Sequence, residues 1–228
     1  KSLKSFHLWL FLPMLILLCA ATAFEIQPTI EFIKKQGLTN IDILITGIGL
    51  TATTYHLTKA VYTNRPQFIL QAGIAGALDE QLSLTKVVAV KNETIGDLGV
   101  EENGTFNPVF KLNLGGKDTF PWTNGQLCNT HEIALQAGLP LVNSVSINEI
   151  STNQQRIQYY KKDLGAAIES MEGAALHYVA LLEKIPFLQI RSLSNFAGER
   201  DKSKWELKEA IDSLNLELQN LLLKLMRL

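Results

Sequence analysis

Short, continuous apolar runs alternate along this chain with segments of helical periodicity, and this alternation is the feature that most limits the possible folds. Strands that are buried on both faces read as unbroken apolar runs, because they lie in the middle of a parallel sheet. The sequence predicts strands over residues 14–20, 41–46, 67–71, 86–91, 139–146 and 187–191. It predicts helices over residues 26–36, with Pro28 in the first turn, and over residues 51–62, 154–164, 171–182 and 204–226. The pattern indicates an α/β fold.

The chain is expected to form one domain, because no linker, repeat or low-complexity tract divides its 228 residues. Residues 14–228 are assigned to that domain, and residues 1–13 are an expected extension outside it. Residues 92–126 are rich in Gly, Asn, Asp and Pro and predict long loops with short strands. The leucine stripe of residues 204–226 indicates core or subunit packing.

The N-terminal segment has two interpretations. Lys1 and Lys4 precede an apolar run, and the small residues 20–23 after it resemble a signal-peptide cleavage site. Asn92 and Asn103 begin glycosylation sequons, which would suit a secreted protein. The same run interrupted by Pro13 is too short for a transmembrane helix, and residues 14–20 read equally well as the first buried strand. Composition alone does not separate the two interpretations.

Charge and cysteine content exclude several classes of protein. The net charge is −1, and acidic and basic residues are spread along the chain, so neither a nucleic acid nor a membrane surface is an expected partner. A small molecule or another protein is the expected ligand. Cys19 and Cys128 make neither a disulfide framework nor a zinc site, and no metal is expected. Cys19 lies in an apolar run and is predicted to be a buried, inert thiol.

Polar or glycine-rich segments follow several predicted strands. They are Glu25, Gly47-Ile48-Gly49, the Gly73–Gly76 segment, and Ser194-Asn195. In open α/β sheets, ligands bind where the carboxyl ends of strands converge, so these segments are candidate walls of one pocket. Each glycine turn taken alone is better explained as the start of a helix. Neither a dinucleotide fingerprint nor a Walker lysine accompanies them.

Taken together and in order, these segments resemble the purine nucleoside phosphorylase superfamily. The clearest part is Glu-Ser-Met-Glu-Gly-Ala-Ala at residues 169–175, followed by Pro-Phe-Leu-Gln-Ile-Arg-Ser-Leu-Ser-Asn at 186–195. Residues 20–28, Gly-Glu-Arg-Asp at 198–201 and Trp205 are similar to the futalosine hydrolases of that superfamily. The resemblance implies a three-layer α/β/α fold with a central twisted mixed β-sheet. It also implies a cytoplasmic homodimer or larger homo-oligomer that binds a nucleoside and uses no cofactor. With it, the strand interpretation of residues 14–20 is preferred.

The resemblance implies three roles around the sugar. Cleavage of an N-glycosidic bond passes through an oxocarbenium-like ribose, which requires stabilisation of the cation and activation of water. Glu25 matches the family's water-activating carboxylate, although a carboxylate at a helix start also has a purely structural explanation. Arg191 matches an arginine near that water and is equally explained by structural pairing. Met171 and Glu172 match the ribose contacts.

At the base end, the resemblance implies that Asn195 contacts the purine and that Ser194 positions the base or Asn195. An asparagine cannot protonate N7, but its carbonyl can accept from an N7–H and its amide can donate to O6, which favours a 6-oxopurine. Ser146 and Ile147 match the segment that flanks the purine, and Ile48 and Trp205 match positions near the far end of the sugar. Further implied substrate contacts are Gly73, Ala75, Gly76 and Ser170.

The implied activity is hydrolysis of futalosine to hypoxanthine and dehypoxanthine futalosine, a step of menaquinone biosynthesis. Phosphorolysis is disfavoured, because Ile74 stands where a phosphate-binding serine would be useful and no arginine lies near Gly47–Gly49. One alternative is a methylthioadenosine, S-adenosylhomocysteine or aminofutalosine nucleosidase that releases adenine. Another is a secreted or lipid-associated glycoprotein whose fold only binds a ligand.

Overall fold

The computed structural model describes residues 14–132 and 137–226, and the predicted extension over residues 1–13 lies outside the described residues. The strands are β1 (Ile16–Ala20), β2 (Ile41–Ile45), β3 (Phe68–Ala77), β4 (Val87–Ile95), β5 (Gly99–Glu102), β6 (Thr105–Pro108), β7 (Leu127–Cys128), β8 (Leu141–Ser146), β9 (Ile168–Ser170) and β10 (Phe187–Phe196). The helices are α1 (Ala23–Gln36), α2 (Leu50–Asn64), α3 (Gln154–Gln158), α4 (Gly173–Glu183) and α5 (Leu207–Leu225).

Eight of these strands form one mixed sheet in the order β10-β4-β8-β9-β3-β1-β2, with β7 paired to β4, while β5 and β6 form a separate hairpin. Strand β3 is long enough to have two partners on one side: Phe68–Gln71 pairs with β1, and Gly76–Ala77 pairs with β9. Its other side pairs with β10, so the strands β10, β4, β8, β9 and β3 close into a ring. The predicted α/β fold with a mixed sheet is confirmed. The ring closure was not predicted.

Helices cover both faces of the sheet and give the molecule three layers. On one face α1 and α5 pack on the strands through a cluster that includes Ile26, Leu214 and Leu218. On the other face α2 and α4 pack through Leu57 and Leu176. The leucine stripe of the last helix is therefore core packing. Each fully buried aliphatic side chain contributes about 1.5–3 kcal/mol relative to an exposed one.

Strand β1 explains the unbroken apolar run near the N-terminus. Ile16 and Leu18 face the α1/α5 cluster, whereas Leu17 and Cys19 face the α2/α4 cluster, because successive residues of a strand point to opposite faces. The five residues of β1 are all buried, between β2 and β3. Burial raises the pKa of the Cys19 thiol to about 12, so this thiol is protonated and inert at neutral pH, as predicted.

Two predicted strand ends and two predicted helix starts differ from those in the structure. Gly73–Gly76 and Ser194-Asn195 were predicted to be turns that follow short strands, but β3 and β10 continue through them. Both segments remain extended because they are hydrogen-bonded to each other. Helix α1 begins at Ala23 rather than at residue 26, so Pro28 lies in its second turn and not in its first. Helix α5 begins at Leu207, after a short 3-10 turn over Lys202–Lys204.

The remaining predicted segments are partly right. Residues 154–164 form the short helix α3 followed by a π-helical turn over Tyr159–Asp163, instead of one continuous helix. Within residues 92–126, predicted as loops and short strands, β4 continues to Ile95 and the β5–β6 hairpin follows. Asn92 is part of β4, and Asn103 lies in the exposed turn of the hairpin.

Candidate active site

A cavity of about 310 Å³ opens where the first turns of α1 and α5 approach β3, β9 and β10. Its size is within the range of small-molecule pockets. The predicted site residues that line it are Glu25, Ile48, Ala75, Gly76, Ile147, Ser170, Met171, Glu172, Ser194, Asn195 and Trp205. Three others, Gly73, Ser146 and Arg191, do not line this cavity, and Arg191 and Ser146 are buried. The structure thus brings most of the predicted residues together at one place.

Glu25 is the third residue of α1, and its carboxylate is held by three donors. Oε2 accepts from the backbone N–H of Thr22 at 3.0 Å and from the Thr22 hydroxyl at 2.9 Å. Oε1 accepts from the backbone N–H of Ile74 at 3.1 Å. The first two bonds are a helix-capping interaction, whereas the third connects the carboxylate to strand β3. Glu25 therefore caps its helix and also presents a fixed carboxylate to the cavity.

The backbone of Glu25 is fixed by a buried asparagine of the neighbouring helix α5. Asn215 of α5 donates through Nδ2 to the Glu25 carbonyl at 2.9 Å. Its Oδ1 accepts from the Thr29 backbone N–H at 3.1 Å and from the Thr29 hydroxyl at 2.7 Å. These bonds lie on either side of Pro28, which lacks the N–H that a helix ladder would use. Asn215 consequently ties the first turn of α1 to α5.

A buried ion pair lies next to Glu25. Arg191 on β10 places Nη1 3.3 Å from Glu172 Oε2 and donates through Nη2 to Gln71 Oε1 at 3.0 Å. Glu172 Oε1 accepts from the backbone N–H of Gly49 at the start of α2, at 3.1 Å. The carboxylate of Glu172 is thereby oriented by a guanidinium on one oxygen and by a helix N-terminus on the other.

Gly73 provides the space that brings Glu25 and Arg191 together. A Cβ at this position would lie 2.4 Å from Arg191 Nη1 and 3.0 Å from Glu25 Oε1. Any side chain here would therefore displace the guanidinium. The predicted role of Gly73 was a substrate contact, but its place in the structure is under the Arg191 guanidinium, behind the cavity wall.

Ser146 was predicted to flank the base, but it lies behind the cavity in a buried polar cluster. Its hydroxyl donates to Glu93 Oε2 at 3.0 Å and accepts from the Ala174 backbone N–H at 2.8 Å. Glu93 also accepts from Gln189 Nε2 at 2.9 Å, and burial raises the pKa of its carboxyl. Ile147 does line the cavity, but its backbone N–H donates to the Ser170 carbonyl. This N–H is therefore already paired within the fold.

Asn195 lies just after a β-bulge in β10, where the pairing with β3 shifts between Leu193 and Asn195. Bulges change the direction of a side chain, and they are frequent beside active sites. Oδ1 of Asn195 accepts from the Ser194 hydroxyl at 2.8 Å, and Nδ2 donates to the Phe196 carbonyl at 3.0 Å. The amide is thus fixed at both ends while one N–H and one lone pair stay available for a ligand.

The cavity also contains residues that the sequence did not assign to the site. Glu169 and Arg200 are the charged ones; Ala21, Thr22, Phe24, Ile74, Ile150 and Leu207 complete the lining. Glu169 and Arg200 belong to two of the segments that carried the family resemblance, 169–175 and 198–201, so position in a motif was the available signal. The Arg200 guanidinium lies 5.7 Å from the centroid of the Trp205 ring, within the range of a cation–π contact. Phe24, whose ring is exposed, lies in the segment 20–28 that also resembled the family, so it had the same kind of signal.

Within residues 14–132 and 137–226, no group of three or more His, Cys, Asp and Glu side chains is arranged to hold a metal ion. In the same part of the chain, no helix is both long enough and apolar enough to cross a membrane.

Comparison with known proteins identifies relatives of this chain both in sequence and in structure. The family model described as the phosphorylase superfamily matches residues 32–227. A futalosine hydrolase from Thermus thermophilus is 32% identical over 196 residues, which cover 84% of this chain and 86% of that protein. A 5′-methylthioadenosine/S-adenosylhomocysteine nucleosidase from Buchnera aphidicola is 25% identical over 81% of this chain and 79% of that protein. The solved structure of a futalosine hydrolase from Helicobacter pylori matches with a TM-score of 0.76 at 17% identity, covering 92% of this chain and 97% of that one.

Proposed function

This chain belongs to the phosphorylase superfamily, and on that basis we propose that it is a nucleosidase that hydrolyses the N-glycosidic bond of futalosine and releases hypoxanthine. The observation that carries the proposal is the 32% identity to a futalosine hydrolase over 84% of the chain. The cavity supports it, because Glu25 lies on one wall and an asparagine in place of an acid lies on another.

In the proposed reaction, Glu25 accepts a proton from water while the water oxygen bonds to C1′ of the ribose. The bond between C1′ and N9 breaks, and its electron pair leaves with the purine, which takes up a proton from solvent. The three donors on the Glu25 carboxylate hold it in one orientation and leave one lone pair of Oε1 free for the water. A base within hydrogen-bond reach of its proton contributes about 10²–10⁴-fold to the rate.

Glu172 is proposed to bind the ribose. Its carboxylate faces the cavity, and each of its oxygens already has one partner, Gly49 N–H or Arg191. The remaining lone pairs can accept from the vicinal 2′- and 3′-hydroxyls. Negative charge beside the sugar also stabilises the oxocarbenium-like transition state. Met171 is proposed to pack on the sugar, with Ile48 and Trp205 around the arm attached at C5′.

Water rather than phosphate is the proposed nucleophile. A phosphate at the Glu25 end of the cavity would lie beside a carboxylate and would need cationic or hydroxyl donors to compensate. Arg191 is already bonded to Glu172 and Gln71, and Ile74 lines the cavity where a serine would be useful. Of the described lysines and arginines, only Arg200 lines the cavity.

Release of adenine from methylthioadenosine, S-adenosylhomocysteine or aminofutalosine is the alternative activity, which the relative from Buchnera aphidicola favours. Asn195 supports the 6-oxopurine instead, because a neutral amide accepts from N7–H and donates to O6. A cytoplasmic location, a homo-oligomeric state and a place in menaquinone biosynthesis belong to the same proposal, as does the extension over residues 1–13.

The test is a product assay. Purified protein is incubated separately with futalosine, aminofutalosine and methylthioadenosine, with and without phosphate, and the free bases are separated by chromatography. We expect hypoxanthine from futalosine at a rate that does not depend on phosphate. Adenine as the main product would support the alternative, and a phosphate-dependent rate would overturn hydrolysis.

A further inference from the structure

Glu169 and Asn195 lie on either side of Gly76 in one row of the sheet. Gly76 of β3 is the register partner of Glu169 in β9 and of Asn195 in β10. The two outer Cα atoms are separated by two strand spacings, about 10 Å. All three residues line the cavity. A Cβ on Gly76 would lie 3.1 Å from both Cγ and Oε1 of Glu169, so the Glu169 side chain leans over the space that the glycine leaves free.

The Glu169 carboxyl is buried and incompletely paired. The residue is 6% exposed, and its Oε2 has no hydrogen-bond partner within the described chain. Burial raises the pKa of this carboxyl to about 7, and the positive charge of Arg200 opposes that shift only in part. A buried carboxyl oxygen without a hydrogen-bond partner destabilises the folded state. A ligand bound in the cavity can supply the missing hydrogen-bond donor.

Two other polar groups near the cavity, the Ile147 backbone N–H and the Ser146 hydroxyl, are not free to contact the six-membered ring of the base. The backbone N–H of Ile147 is spent on the Ser170 carbonyl, and Ser146 faces Glu93 behind the wall. Asn195 accounts for the edge formed by N7 and O6. The neighbouring N1 position still requires a polar partner. The lactam form of hypoxanthine carries a hydrogen on N1, whereas adenine has a bare acceptor there.

We propose that Glu169 is a specificity-determining residue whose carboxylate accepts a hydrogen bond from N1–H of a 6-oxopurine. Together with Asn195 it reads three consecutive positions of the base: N7, O6 and N1. A 6-amino purine presents an acceptor at N1, where the ionised carboxylate has no hydrogen to donate, so the ionised form of Glu169 disfavours it. The inference rests on the proposed function in one respect, that the cavity holds a purine.

The first experiment compares two variants on two nucleosides. Glu169→Ala removes the acceptor, and we expect kcat/KM for futalosine to fall about tenfold or more, while any turnover of aminofutalosine changes less. Glu169→Gln keeps the shape of the side chain, and its amide can rotate to donate to N1 of adenine. We therefore expect Glu169→Gln to raise the ratio of aminofutalosine to futalosine turnover. Glu209→Gln, an exposed carboxylate on α5, is the control and leaves both rates unchanged.

The second experiment uses the free bases and does not require turnover. Calorimetry on the full chain compares hypoxanthine with 1-methylhypoxanthine, which lacks the hydrogen on N1. We expect the wild type to prefer hypoxanthine about tenfold or more and Glu169→Ala to lose that preference. Equal affinity for the two bases in the wild type, or an equal fall for both nucleosides in the variants, would overturn the role of Glu169. Absence of futalosine turnover together with a retained preference would overturn the proposed function alone.

Discussion

Arg191 and Glu172 form an ion pair of 3.3 Å whose side chains are only 2% and 7% exposed. A buried pair of this kind leaves an uncompensated charge when one partner is removed. Glu172→Ala is therefore expected to lower the free energy of unfolding by about 3–5 kcal/mol and to abolish ribose binding. Urea unfolding measures the first effect, and product formation measures the second.

The exposed pair of Lys208 and Asp212 is the control, since their side chains are 84% and 62% exposed. Asp212→Ala should change the free energy of unfolding by no more than about 0.5 kcal/mol. Equal effects of the two substitutions would show that the buried pair is not the stabilising element described above.

Replacement of Glu25 by glutamine should separate catalysis from binding. The amide keeps the shape of the side chain but cannot take a proton from water, so kcat for futalosine should fall by about 10²–10⁴-fold. Affinity for hypoxanthine, measured by calorimetry, should stay unchanged because Asn195 and the base end of the cavity are intact. Glu31→Gln, on the exposed side of the same helix, serves as the control. Near-normal rates for Glu25→Gln would remove Glu25 from the role of base.

A methyl group at Gly73 should disturb the same chemistry without any change to a charged residue. The Cβ of Gly73→Ala would meet Arg191 Nη1 at 2.4 Å, so the guanidinium must move away from its position beside Glu25 and Glu172. Misplacement by about 1 Å costs up to about 100-fold in rate, and we expect kcat/KM to fall by about 10–100-fold. Gly115→Ala is the matched control, since its Cβ would have its nearest neighbours at 3.4 Å. Circular dichroism should show both variants folded.

The parts of the fold that the sequence predicted well are those governed by local burial. The run of Ile16–Ala20 could be recognised as a strand because both faces of a central strand are apolar. The stripe of α5 could be recognised because one helix face is apolar. The ends of β3 and β10 could not, because the extended form of Gly73–Gly76 depends on pairing with a strand more than one hundred residues away.

The same distinction applies to the site. Glu25 and Glu172 could be assigned from motifs, but their partners come from distant elements: Ile74 N–H for Glu25 and Gly49 N–H for Glu172. Glu169 in its motif looks like any polar residue beside a helix start. Its relation to Asn195 exists only through Gly76, which both strands pair with. Ser146 shows the converse, since its match to a base-flanking position did not reveal that it is buried against Glu93.

Asn195→Asp should shift the preference among bases. A carboxylic acid can protonate N7 and accept from a 6-amino group, whereas it lacks the amide N–H that would meet O6. We expect the ratio of kcat/KM for aminofutalosine over futalosine to rise about tenfold or more. Asn103→Asp, in the exposed hairpin turn, controls for the added charge. An unchanged ratio would mean that Asn195 does not contact the base, while its bonds to Ser194 and Phe196 serve only the bulge.

The raised pKa of Glu169 predicts how stability depends on pH. The folded chain holds this proton up to about pH 7, whereas the ordinary pKa of the carboxyl is 4.5, so the folded state binds more protons between these values. Stability should therefore fall as pH rises from about 4.5 to about 7, by up to about 3 kcal/mol from this group. The charged or titratable groups coupled to it are Arg200, which opposes the shift, and the Tyr160 hydroxyl, which is neutral in this range.

Glu169→Gln removes the titration and keeps the shape, so urea unfolding of this variant should lose that fall and show greater stability than the wild type at pH 8. Hypoxanthine should reduce the pH dependence of the wild-type free energy of unfolding. Its N1–H stabilises the ionised carboxylate and so lowers the pKa of Glu169. Binding of hypoxanthine should accordingly tighten as pH rises from about 5.5 to about 7.5 in the wild type and stay constant in the variant. Parallel stability curves for the two proteins would contradict a buried, protonated Glu169. A pH-independent affinity in the wild type would contradict its contact with the base.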